Sequence, residues 1–156
     1  MKTYYGELES FEYYAGGGIL DYSEHYVITR DGEDYTLSVF VHEDMDMTIE
    51  RPIEPTEIAN ILNIIASENL YLRNGVNAAE ENPVNIHRET LTAVFSQATL
   101  SYQYSGSSVY RNNALADYLY QLAEESIGTY GSRMTTAMSI PTGSTVAETI
   151  TEETTI

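Results

Sequence analysis

Cysteine is absent, which removes disulfides, thiolate metal sites and thiol nucleophiles and leaves the redox compartment unmarked. Tryptophan is absent too. Lysine occurs once, at Lys2, and the other cations are six scattered arginines, so no basic patch exists to hold a phosphate backbone or an anionic membrane. Long apolar runs are also lacking. The longest, Ile58 to Ala66, is broken by Asn60 and Asn63, and Thr3-Tyr4-Tyr5-Gly6-Glu7 follows Lys2 where an export signal would be apolar. The chain reads as cytoplasmic, with an extracellular placement following only where an upstream signal has been removed.

What is present is negative charge on a chain of single-domain length. The 156 residues carry 24 acidic and 7 basic side chains, a net charge of −17, and 42% hydrophobic residues suffice for one buried core. The field is uneven, because residues 1–60 alone hold 14 acidic and 3 basic groups. From Gly131 onward serine and threonine crowd a stretch without aromatics. Such a composition buries too little to offset its ordering entropy. The organisation expected is one acidic domain over residues 1–130 and a disordered tail over 131–156.

The pattern predicts an α+β fold: an antiparallel sheet of about five strands with two helices on one face, in the order ββ(β)-α-ββ-α. Lys2 to Tyr14 reads as a strand closing at a Gly16-Gly17-Gly18 turn. His25 to Arg30 and Tyr35 to Val41 flank Asp31-Gly32-Glu33-Asp34, the strongest hairpin signal in the chain. A short strand is expected near Met47 to Arg51. Glu54-Pro55-Thr56-Glu57 opens a helix whose Ile58, Ile61, Leu62 and Ile65 form one stripe. Residues 76–83 read as an exposed loop, and Glu89 to Phe95 with Ala98 to Tyr104 as a second hairpin. Asn112 or Asn113 then caps a helix with Leu115, Tyr118, Leu119 and Leu122 inward and Gly128 as its stop.

No catalytic centre emerges. His42-Glu43-Asp44-Met45-Asp46 is the one cluster of metal-ligating types, but it fits neither a calcium loop nor a zinc spacing. An acidic loop between strands explains it, so no metal and no cofactor are expected. His25, His42 and His87 lack a positioned nucleophile: neither a Gly-x-Ser-x-Gly elbow nor a Ser-x-x-Lys occurs. Gly16-Gly17-Gly18 has no following Lys-Ser/Thr and does not read as a phosphate loop. An enzyme is not expected.

Fourteen tyrosines against three phenylalanines are the remaining signal. Many lie in the acidic half, and Tyr4-Tyr5 and Tyr13-Tyr14 each place one ring on either strand face. Rings beside carboxylates suit an Arg/Lys-rich surface, and tyrosine equally serves as a strand residue that tolerates the wet face. Taken together, Gly16-Gly17-Gly18, Tyr26-Val27-Ile28 with Asp31-Gly32, the Ile58 to Leu70 helix, and Leu100-Ser101-Tyr102 leading to Asn113 and Leu119 resemble function-unknown domains of Gram-positive bacterial lipoproteins. The likeness covers residues 8–125, implies the strand and helix order, and carries no activity or site residue.

The function expected is therefore that of a non-catalytic acidic binding protein. Its candidate contacts are Glu7, Glu9, Glu12, Tyr13, Asp31, Glu33, Asp34, Glu43, Asp44 and Asp46. Its expected partner is a basic protein whose nucleic-acid-binding surface it occupies, as phage and mobile-element anti-defence inhibitors do by analogy of size and charge. Direct binding to nucleic acid or membrane is not expected, and the pattern selects no oligomeric state. The alternative is a secreted or envelope-attached accessory domain whose acidity serves solubility.

Overall fold

The computed structural model describes residues 5–18, 22–41 and 48–129. Seven strands form one sheet: β1 (Leu8–Gly17), β2 (Tyr22–Asp31), β3 (Asp34–Val41), β4 (Thr48–Ile53), β5 (Asn77–Ala79), β6 (His87–Phe95) and β7 (Thr99–Gly106). Helix α1 spans Pro55–Ser67, a 3-10 turn follows at Leu70–Arg73, and α2 spans Asn113–Thr129. The spatial order is β4-β3-β2-β1-β6-β7-β5, so β1 is central and pairs antiparallel with β2 and β6.

The fold class agrees with expectation, and three details of the sheet differ. Among the described residues there are seven strands where about five were expected. Second, the sheet is mixed, because β5 runs parallel to β7 within the stretch read as an exposed loop. Its Asn-Ala-Ala side chains are all exposed, so no alternation announces the strand. It is anchored just upstream by one backbone and one side-chain bond: the Gly75 N–H donates to the Ser101 carbonyl at 2.8 Å, and the Ser101 N–H donates to the Asn74 side-chain Oδ1 at 2.8 Å. Third, Gly16 and Gly17 are not a turn. They continue β1, pairing with Ser23 and Tyr22 on one side and Arg88 and His87 on the other. At Gly17, with φ +107, an added Cβ would lie 2.5 Å from the Ile86 carbonyl oxygen, so glycine there permits a close backbone approach.

Strand alternation sets the inward face. Phe11, Tyr13 and Ala15 of β1, Tyr26 and Ile28 of β2, Leu37 and Val39 of β3, and Leu91, Ala93 and Phe95 of β6 are buried together. Leu8 breaks the parity yet is also buried. A register shift between Leu8 and Ser10 leaves Glu9 as an extra residue, and this bulge returns Leu8 to the core while Glu9 faces solvent.

The helices close the same core. Ile58, Ile61 and Ile65 of α1 and Leu115, Ala116, Leu119, Leu122 and Ala123 of α2 join it. The α1 start is as read: Glu54 is the N-cap, Pro55 the first helical residue, and the Glu54 N–H donates to Glu57 Oε1 at 2.9 Å. Asn112, of the two candidates, caps α2, its Oδ1 accepting the Leu115 N–H at 3.0 Å. The helix continues one residue past Gly128, which is therefore not its stop.

Candidate functional site

The inward parity of two strands places carboxylates where apolar side chains are expected. Glu24 precedes Tyr26 and Ile28 on β2, Glu89 precedes Leu91 and Ala93 on β6, and both are buried. Both pair with Ala15 of β1, so they stand two strand spacings, about 10 Å, apart on one face. A buried charge requires partners. Arg111 Nε donates to Glu24 Oε2 at 2.5 Å, and the Tyr26 hydroxyl donates to Oε1 at 2.8 Å. Glu89 Oε2 accepts the Tyr13 hydroxyl at 2.5 Å and the Asn112 N–H at 3.0 Å. Arg73 Nη1 stands 3.8 Å from Glu89 Oε1.

These bonds set the local acid–base behaviour. Burial, and then the charge of Glu89, push the Tyr13 hydroxyl far above its ordinary value of 10. Tyr102 is raised by the same two causes in the same order, with Arg73 opposing. Burial draws the Arg111 guanidinium down, but hydrogen bonds and ion pairing with Glu24 and Asp117 outweigh it and raise it overall. The chemistry of the pair is thus structural: both carboxylates tie residues 111 and 112, which lead into α2, to the middle of the sheet.

Glu24 and Arg111 also border a half-open cleft of about 310 Å³. It is lined by Ala15 and Gly16 to Gly18, by Asn85 and His87 of the chain entering β6, and by Val109 and Tyr110 of the segment before α2. An added Cβ at Gly18, φ +88, would lie 2.7 Å from His87 Cε1, so this glycine allows the His87 ring to pack on the backbone. His87 Nε2 lies 3.5 Å from Asn85 Nδ2, at the limit of a hydrogen bond. Tyr110 stacks on Tyr104 with ring centroids 5.6 Å apart.

The expected contact residues fall in four places. Glu7 and Glu9 at the start of β1, and Asp31, Glu33 and Asp34 at the β2–β3 turn, gather at the sheet end opposite the cleft, all exposed. The turn is compact. Gly32, φ +68, is its first central residue, followed by Glu33 at negative φ, the pattern of a type II′ hairpin. Asp31 and Asp34 are direct cross-strand partners, so two like charges face each other around it. Glu54, which follows Ile53 opposite Tyr35, is exposed at the same end. Arg30 answers this charge in part: Nη1 donates to Glu7 Oε1 at 3.1 Å and Nε to the Gly32 carbonyl at 2.7 Å.

Glu12 lies elsewhere, on the sheet face turned away from the helices, with Oε2 2.6 Å from His25 Nε2. The His25 ring stacks on Phe40 and meets Tyr14 edge-on. Tyr13 is a correction: it is fully buried and its hydroxyl serves Glu89, so it is core and not a surface contact. Glu43, Asp44 and Asp46, with the rest of the His42 cluster, lie outside the described residues, as does the 131–156 tail. The Tyr13-Tyr14 pair splits between the two faces as expected, Tyr14 lying beside His25 on the outer one, but most of the described tyrosines pack inward. Tyr13, Tyr26 and Tyr102 are buried, and Tyr5, Tyr35, Tyr71, Tyr104, Tyr118 and Tyr120 pack partly buried against the core. Tyrosine serves here as an apolar ring with a tethering hydroxyl, as where Tyr35 donates to the Leu8 carbonyl at 2.8 Å and Tyr118 accepts from Asn60 at 3.0 Å.

Glu24, Glu89 and Arg111 were not anticipated. A carboxylate two residues before an alternating apolar row is the signal that would have found the first two. Among the described residues no three His, Asp or Glu side chains converge as a metal site, and no helix is long and apolar enough to cross a membrane. No family model, curated protein or solved structure matches the chain, so function has to be argued from these residues themselves.

Proposed function

We propose that the protein is a non-catalytic acidic binding protein that engages a basic surface of a partner protein, of the kind that otherwise holds nucleic acid. The observation that carries this reading is the Asp31 and Asp34 pairing at an end shared with Glu7, Glu9, Glu33 and Glu54. Like charges directly opposite one another destabilise a hairpin, and turn chemistry accounts for Asp31 before Gly32 but not for a second carboxylate facing it. A cationic partner relieves the repulsion on binding. The net charge of −17 adds long-range steering, which makes association fast and salt-sensitive.

The test is affinity capture from a lysate of the source cell, comparing the wild type with a variant carrying Glu7→Gln, Glu9→Gln, Asp31→Asn, Glu33→Gln and Asp34→Asn. A basic nucleic-acid-binding protein retained at low salt, released at moderate salt and lost with the variant supports the reading. Retention of the same partner by the variant at the same salt rejects it.

A further inference from the structure

The described residues expose four large hydrophobic side chains, and three of them flank one feature. Val84 (91% exposed), Ile86 (51%) and Val109 (72%) lie beside or within the chain that lines the cleft at the glycine end of β1. Val109 is a lining residue, Ile86 sits between the lining residues Asn85 and His87, and Val84 precedes Asn85. The two segments are joined: the Val84 N–H donates to Ser107 Oγ at 3.0 Å, and the Ser107 N–H to Glu80 Oε1 at 2.7 Å. Exposed apolar side chains on the segments that form a concave site mark an interaction surface where singly scattered ones do not.

The cleft itself narrows the choice of occupant. At about 310 Å³ it stands at the small end of the range for binding clefts, roughly 300–1,000 Å³, and suits one side chain. Glycine backbone and the His87 and Tyr110 rings are flat surfaces, against which a planar ring packs well. Among the described residues the Asn85 and His87 side chains share only their long mutual contact. The wall therefore holds free hydrogen-bonding capacity for a polar tip. Glu24 and Arg111 neutralise one another, while Glu80, Glu81 and Asp117 are exposed nearby, so the surroundings favour cations. A second copy of this chain would bring another −17 and is disfavoured.

We infer that this cleft seats an aromatic side chain with a polar tip, tyrosine in kind, projecting from a partner protein whose flanking surface is basic. The inference rests on the acidic binding reading for the flanking charge, and on the cleft alone for the anchor. It gives the protein two contacts about 30 Å apart along β1, one electrostatic and one shaped.

The test uses the full-length chain and synthetic peptides with a central Tyr, Phe or Ala, each flanked either by lysines or by Gly and Ser, with binding read by fluorescence anisotropy. The lysine-flanked Tyr peptide is expected to bind about thirty-fold tighter than its Ala counterpart, the ratio for one buried anchor. Val109→Glu and Ile86→Glu, both at exposed positions, should bring the Tyr peptide to the Ala level, and Asn85→Ala with His87→Ala should erase the preference for Tyr over Phe. Equal affinity for Tyr and Ala peptides, or a Tyr preference that survives Val109→Glu, overturns the inference. So does binding of free p-cresol as tight as that of the peptide, which would make the cleft a small-molecule site. The two readings fail separately: a Tyr preference equal in both flanking contexts and at all salt concentrations removes the basic flank and leaves the anchor standing, whereas the acidic reading, which rests on the opposite end of the sheet, fails only where the charge-neutralised variant still captures the basic partner.

Discussion

Replacing Asp34 by asparagine removes one of two carboxylates that face each other across the β2–β3 turn. Directly opposed cross-strand side chains stand about 5 Å apart at Cβ. Two unit charges about 6 Å apart in water repel by roughly 0.7 kcal/mol. Physiological salt, with a Debye length of about 8 Å, leaves part of this, so Asp34→Asn should stabilise the fold by about 0.5 kcal/mol. The assay is urea denaturation followed by circular dichroism at 20 mM and at 1 M sodium chloride. For a domain with m of about 1–3 kcal/mol/M, the midpoint should rise by about 0.2–0.5 M at low salt with m unchanged. At 1 M salt, where the Debye length is about 3 Å, the gain should largely vanish. An unchanged midpoint, or an equal gain at both salts, would refute the argument that charge, and not turn geometry, sets the cost at this hairpin. A stabilised variant that binds its partner more slowly is the joint signature of a functional repulsion.

Three further outcomes follow from the interior. Glu24→Ala leaves the partly buried Arg111 guanidinium with Asp117 and the Asn113 side-chain oxygen in place of its buried carboxylate and should cost about 2–3 kcal/mol, read as a lowered urea midpoint, whereas Glu12→Ala on the open face should cost under about 1 kcal/mol. Gly17→Ala forces a Cβ against the Ile86 carbonyl at φ +107 and should destabilise by at least about 1–3 kcal/mol. Gly75→Ala, with φ +85 and open space around it, should cost only the backbone term, about 1 kcal/mol. In alkali, Tyr13 and Tyr102 hold their protons well above the ordinary value of 10. Their contribution is fully present below pH 10 and is lost as pH rises through the folded values, at about 1.4 kcal/mol per unit for each. Unfolding above pH 10 should therefore coincide with tyrosinate absorbance, and Tyr102→Phe should reduce the slope.

The parts of the fold that were legible are those where one local rule acts. The Asp-Gly turn needs positive φ, the Glu54-Pro55 start needs no donor at its proline, and Ile58, Ile61 and Ile65 repeat at helical spacing. What escaped was set by partners distant in the chain. β5 exists because Asn74 and Gly75 clip to Ser101, and no property of Asn77-Ala78-Ala79 announces it. Gly16 and Gly17 read as a turn because glycine is permissive, yet the permission is used for close packing inside a sheet. The acidic end was legible as charge and illegible as a cluster, since strand order alone brings Glu7 and Glu9 beside Asp31.

The misplaced tyrosines carry the larger physical point. With no tryptophan and three phenylalanines, the core draws much of its aromatic bulk from Tyr13, Tyr26 and Tyr102, and a buried hydroxyl then calls for a partner. Glu24 and Glu89 are such partners for Tyr26 and Tyr13. The same carboxylates hold Arg111 and Asn112, and so fix the segment bearing Val109 and Tyr110 over the glycine end of β1. The buried tyrosines therefore brace one wall of the cleft from within the core, while Tyr110 stands in that wall. Tyr13→Phe puts this to the test, because it keeps the ring and removes both the bond the hydroxyl donates to Glu89 and the one it accepts from the Asn112 N–H. A modest loss of stability with weaker anchoring of the Tyr peptide would show the brace at work, and unchanged peptide affinity would confine the network to stability alone.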